Sequence, residues 1–437
     1  MLTRRSLLAN ASTLAVTGAR PVLAQDDPRI AWLQANASPL RSIDPADADF
    51  SDLEPLGSAI GDSRIVMLGE QTHGDGATFE GKCRLVRFLH QRMGFDVLAF
   101  ESGLYEMRKA WDALRAGEDA RIAAPLSILF AWSRSREAQP VIDYIGANVR
   151  SGRPLEIAGF DCQFSAFEDN YARQFLLADL VAFLDSHGVD TASMPDWPRF
   201  HDLCGRFILD ACIYGYRWRP PEDDYRFILT MFDTLIVRTA SAQGADAPFW
   251  RQLIKSMRAE AEVHFWMPRS QDQFTLTDNN GRDMAMGDNL VWLARDVYPQ
   301  RKIIVWAATL HNMRNSHRLG PEYRRVVSMG DVAAQALGRQ IYNLAFTCYE
   351  GESGWLQADK PDTLKPPPAG SLEALWASTS HRLAFVDFRN SAPGGEWLHA
   401  PMTSWLVRHE DIVTTDWSQI VDGVVFIRTM RRATRVN

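Results

Sequence analysis

The sequence predicts an α/β fold, mainly a parallel sheet flanked by helices, with an inserted helical subdomain. Three observations lead there. Short β-branched apolar runs alternate with helical stretches along the chain. Polar, chemistry-bearing residues follow directly after four of those runs. Finally, 437 residues at 46% hydrophobic, with 22 Phe and 14 Trp, provide enough apolar side chain for one large core.

Residues 1–24 read as an export signal rather than as part of the fold. Arg4 and Arg5 precede an uncharged run from Leu7 to Ala19, and Val22-Leu23-Ala24 supplies small residues around a cleavage point. Thr3-Arg4-Arg5-Ser6-Leu7-Leu8 is similar to a twin-arginine signal, which predicts a periplasmic or secreted protein. Its removal takes away Arg4, Arg5 and Arg20 and no acid, so the net charge of −7 becomes −10. That balance offers no footprint for nucleic acid, and no later run of about 18 apolar residues predicts a membrane span.

The remainder, 25–437, reads as one α/β domain. Arg64–Leu68, Asp96–Phe100, Leu155–Phe160 and Lys302–Ala307 are expected as buried parallel strands. Phe79, Cys83, Val86, Leu89 and Met93 keep a helical period between the first two, which makes a βαβ unit. Residues 166–293 show helical patterning and no strand, so they are expected as the helical insert, interrupted by a loop around Arg217–Asp224. Later strands are expected at Arg325–Ser328, Tyr342–Cys348, Arg382–Phe388 and Val424–Met430, with the Pro-rich Asp359–Gly370 as a surface connection. The five cysteines, Cys83, Cys162, Cys204, Cys212 and Cys348, are odd in number and scattered, and buried thiols are the expectation for most of them.

Ligands of open α/β sheets bind at the carboxyl ends of strands. Here those ends deliver Glu70 and His73, Glu101, Asp161 and His311 to one rim. No GxSxG nucleophile elbow, HExxH or paired CxxC is present. Gly76 to Cys83 departs from the phosphate-binding loop, with Cys83 in place of the hydroxyl residue that would hold magnesium. What remains is histidine-centred acid–base chemistry. His73 is the candidate base that takes a proton from water, with Glu70, Glu101 and His311 as its catalytic company. Lys82, Arg134, Arg136 and Arg282 are candidates to meet a developing oxyanion, and Lys82, Arg134, Arg282 and Asp161 form the expected substrate-binding set. No cofactor is required by this reading. The alternative is a divalent metal held by Glu70, His73, Glu101 and His311. A further alternative is a non-catalytic periplasmic binding protein that uses the same cleft.

At these residues the chain resembles the erythromycin esterase family. The similarity runs from the GExxHG-type motif Gly69-Glu70-Gln71-Thr72-His73-Gly74 through Gly94 to Glu101, Trp132 with Arg134, and Gly159-Phe160-Asp161. It continues in Arg282-Asp283-Met284 with Asn289, Trp306-Ala307 with His311, and Ser328-Met329-Gly330. The resemblance implies hydrolysis of a macrolide lactone or related small-molecule ester without a serine nucleophile, with His73 as general base. The chain departs from the family's Trp-Ala-His-Asn-x-His pattern, because Ala308 and Thr309 replace the first His and the Asn and leave only His311.

Overall fold

The computed structural model describes residues 27–436 apart from 165, 167–168, 207–218, 269, 271–272 and 391. The export segment, Cys212, and Arg217 and Trp218 of the interrupting loop therefore lie outside the described residues, while Glu222–Asp224 form the first turn of helix Glu222–Thr239. Eleven strands are found among the described residues: β1 (Ser38–Pro39), β2 (Ile65–Glu70), β3 (Phe95–Gly103), β4 (Glu156–Asp161), β5 (Lys302–Ala308), β6 (Ile341–Ser353), β7 (Asp362–Leu364), β8 (Leu383–Asp387), β9 (Met402–Ser404), β10 (Val413–Thr415) and β11 (Gly423–Met430).

Nine of them form one sheet in the order β1-β8-β11-β6-β2-β5-β3-β4, with β7 paired to β6. From β11 to β4 every neighbouring pair is parallel. β8, β1 and β7 join antiparallel, so the sheet is mixed rather than purely parallel. β1 is only two residues long and finishes on the exposed Pro39. At the other end β4 is packed by helices Leu104–Ala116 and Asn280–Trp292.

The four expected site strands are all present, and they lie side by side as β2-β5-β3-β4. Helix Gly76–Met93 makes the crossover from β2 to β3. Its buried face includes Phe79, Cys83, Val86 and Leu89, which pack into the main core with Trp306, Phe346 and Trp405.

The described residues of 166–293 contain helices and no strand, among them Tyr171–Ser186, Glu222–Thr239 and Ala247–Trp266. These helices bury a second apolar cluster that includes Leu180, Phe232 and Ile254, and it reaches the sheet through Leu104 and Tyr105.

One strand expectation fails. Arg325–Ser328 is not extended into the sheet, because Ser328 caps helix Met329–Leu337 reciprocally with Asp331. A capping box outweighs two β-branched valines at that point. The Pro-rich connection also carries β7, which its composition does not announce. Cys83, Cys162, Cys204 and Cys348 are free and buried. Among the described residues no helix is long and apolar enough to cross a membrane.

Candidate active site

β2 ends on Glu70, whose side chain has no exposure at all. One carboxylate oxygen accepts from His73 Nδ1 at 3.0 Å, and the other accepts from the Lys82 ammonium, carried by the crossover helix. Lys82 also donates to the Ala307 carbonyl at 3.1 Å and lies 4.8 Å from the Trp306 ring centroid. Burial pushes this lysine well below its ordinary value. Lys82 is thus enclosed beneath the site and acts on Glu70. The structure does not place it against a substrate.

Because Glu70 takes the Nδ1 proton, the His73 Nε2 lone pair faces outward. Glu101 Oε1 lies 3.7 Å from it, beyond hydrogen-bond reach, and leaves that lone pair available to water. The ring keeps 16% exposure where Glu70 and Lys82 keep none, which makes His73 the member of this trio that solvent can meet. Its edge contacts are Trp132 and Trp355, with centroids 5.2 and 5.8 Å away. Burial holds the imidazole below the ordinary histidine value, against the opposing pull of Glu101.

Glu101 is the centre of the constellation. Its Oε2 accepts from the Ala308 N–H at 3.1 Å, and its Oε1 accepts from Arg282 at 2.9 Å. His311 Nε2 lies 3.4 Å from the same Oε1. Burial alone would raise this carboxyl, but His311, His73 and Arg282 outweigh it and hold it down at about 2. Arg282 also clamps Asp161 at the end of β4, with contacts of 2.5 and 3.1 Å. The imidazole of His311 donates from Nδ1 to Asp283 at 2.8 Å, and the Met329 N–H donates to the same oxygen at 2.9 Å. Burial would lower His311, yet Asp283 and Glu101 together carry it above the ordinary histidine value.

Seven of the eight expected residues are therefore brought together: Glu70, His73, Lys82, Glu101, Asp161, Arg282 and His311. Arg134 stands two residues beyond Trp132, where its carbonyl accepts from Val436. Asp283, quoted above only as a neighbour of Arg282, turns out to be the partner of His311. Adjacency to Arg282 was the only signal for it, since its imidazole lies 28 positions further on. His409 has no motif context in the sequence, yet it is buried on Asp75, one turn from His73.

Among the described residues at this rim, no serine hydroxyl or thiolate is set up as a nucleophile. The Ser102 hydroxyl accepts from the Leu129 N–H inside the body, and burial keeps the Cys162 thiol protonated. The donor set does not suit a metal ion either. The Arg282 guanidinium occupies the space between Glu101 and Asp161, 3.5 Å from His311 Nε2, so a fixed cation already stands where a metal ion would bridge these groups. Among the described residues no group of three or more His, Cys, Asp or Glu side chains is arranged to hold a metal.

An open α/β sheet with paired imidazoles and carboxylates along its carboxyl rim is the architecture of an esterase- or hydrolase-like fold family. The family model for erythromycin esterase matches residues 90–430, and the chain belongs to that family. The match includes Glu101, Asp161, Arg282 and His311, while the turn carrying Glu70 and His73 precedes it. Among its relatives, a putative hydrolase, YbfO, of Bacillus subtilis is 25% identical over 91% of this chain and 90% of its own. Erythromycin esterase type II of Escherichia coli is 21% identical over 82% of this chain and 88% of its own. A solved structure of a Bacillus cereus protein has the same fold, with a TM-score of 0.73 at 19% identity, covering 94% of this chain and 99% of the other.

Proposed function

We propose that this protein hydrolyses a carboxylic ester or lactone with water activated by His73, and that no serine nucleophile takes part. One observation carries the reading: two imidazoles at one carboxylate are pushed in opposite directions. Burial moves His73 below the ordinary histidine value, while Asp283 and Glu101 carry His311 above it. Separated values of this kind assign a base and an acid within one site.

In this mechanism His73 Nε2 takes a proton from water as the oxygen attacks the carbonyl carbon. Glu70 stabilises the imidazolium through its Nδ1–H. Charge gathers on the carbonyl oxygen, where His311 Nε2–H and the exposed edge of Arg282 can meet it. When the tetrahedral species collapses, the C–O bond breaks and the alkoxide leaves with the proton held by His73. Glu101 holds both cations in place without bonding to the substrate.

Kinship with an erythromycin esterase supports macrolactones as one substrate class to test. The Arg4-Arg5 segment supports export to the periplasm or beyond. The deciding experiment is a hydrolysis screen of macrolides and simple esters with wild type and His73→Ala, with and without chelator. Turnover by wild type, its loss in the variant and indifference to chelator are expected. Full activity in His73→Ala overturns the assignment of the base.

A further inference from the structure

The cleft at His73 has a second wall that the chemistry above does not use. It encloses about 380 Å³ and is lined by Thr72–Gly74, Ser353–Trp355, Asp362–Leu364 and Arg408–Glu410. The volume sits near the lower end of the range for small-molecule sites. Trp355 stands at its mouth with 55% of its surface exposed, one of the largest apolar side chains this protein leaves in solvent. Phe130 stacks on it at 6.3 Å and 23°, and the His73 ring lies against it at 5.8 Å.

The sequence goes to some length to hold an indole there. Gly354 adopts φ +124, a conformation that favours glycine, and a Cβ on Gly74 would collide with the Gly354 carbonyl. The His73 turn and the Trp355 turn are thereby in backbone contact. Ser353, directly before them, donates to Asp75 at 2.6 Å, and so does His409 from the facing wall at 2.9 Å. Glu410 on that wall has φ +64, uncommon for a residue with a side chain. Three walls are thus fastened to one buried carboxylate, which leaves Trp355 fixed and exposed beside the base.

We propose that Trp355, with Phe130 behind it, is the subsite for the acyl part of the substrate. The preferred substrate is a small ester whose carbonyl carries a flat apolar ring, with its polar remainder toward Arg408 and Glu410. This rests on His73 as the base. An indole face buries a ring at little entropic cost because two dihedrals describe it. The same cleft is small for a large, decorated ring.

The test compares benzoate and acetate esters of one alcohol. Relative to wild type, Trp355→Ala lowers the ratio of the two kcat/KM values about tenfold, mainly through the KM for benzoate, and Trp355→Phe restores most of it. An unchanged ratio overturns the proposal. Binding of benzamide to His73→Ala, measured by calorimetry, separates the two readings. If wild type hydrolyses neither ester but benzamide binds and is lost in Trp355→Ala, the subsite stands and the hydrolase assignment falls. If the esters are hydrolysed but the ratio and benzamide binding ignore Trp355, the hydrolase stands and the subsite falls.

Discussion

His409 lies with its Nε2 2.9 Å from Asp75, across 334 positions of sequence. The contact ties the loop between β9 and β10 to the turn that presents His73. Asp75 also accepts from the Thr72 N–H at 3.1 Å and the Thr72 hydroxyl at 3.0 Å. Burial alone would raise this carboxyl, but His409 and the Ser353 and Thr72 hydroxyls outweigh it and keep it below the ordinary aspartate value.

Asp75→Asn should therefore cost about 2–4 kcal/mol in urea unfolding at neutral pH, because it weakens several buried charge-assisted bonds at once. The sign of the pH effect follows from the lowered value. A depressed carboxyl stabilises above its unfolded value and loses that contribution as pH falls. Wild type should lose its advantage over the variant on acidification, and equal slopes below pH 4 would refute the assignment.

The rate should follow a bell in pH. It rises as His73 deprotonates, below the ordinary histidine value, and falls as His311 deprotonates, above it. Asp283→Asn removes the first of the two groups that raise His311, so the descending limb should move to lower pH while the ascending limb stays. A profile of kcat/KM on any turned-over ester checks this, and movement of the ascending limb alone would reverse the two roles.

Arg282→Ala should destabilise the fold by about 3–5 kcal/mol, since the buried Asp161 would lose its charge partner and Glu101 one of the cations that hold its charge. Arg282→Lys should recover only part, because a point charge does not bridge two carboxylates as a guanidinium does. Chemical denaturation of the three proteins at pH 7 gives the comparison, and a Lys variant equal to wild type would show that the bridging geometry is dispensable.

Glu106 is fully buried beside Gly103, with neither carboxylate oxygen hydrogen-bonded to another described residue. Burial raises it well above the ordinary glutamate value. A raised carboxyl costs stability as pH climbs from its unfolded value toward its folded one. Glu106→Met, close in volume and without the polar group, should gain about 1–2 kcal/mol at pH 7 and have little effect at pH 4. A loss of stability at both pH values would show that the carboxyl is satisfied by a partner such as buried water.

The parallel core was legible because buried strands write themselves as unbroken apolar runs. Polar residues directly after such runs have few places to go except the carboxyl rim. Glu70, Glu101, Asp161 and His311 were readable for that reason. Lys82 was readable as a site residue but not in its position, since helical periodicity does not say that an ammonium will be drawn under Glu70. The partnerships of Asp283 and His409 were hidden because they depend on contacts across sheet neighbours and loops. At Arg325–Ser328 two valines suggested a strand, while the Ser328–Asp331 capping signal three residues apart was the stronger local instruction.

The shape of the sheet's edge has a consequence for how the protein behaves in a crowd. β1 offers a neighbouring chain two residues, and the second, Pro39, has no N–H to donate. Exposed, longer strands elsewhere serve as templates for edge-to-edge aggregation, and a blunt proline-terminated edge denies that template. Self-association of the folded protein would then have to proceed through side-chain surfaces, with the sheet closed to growth at this end.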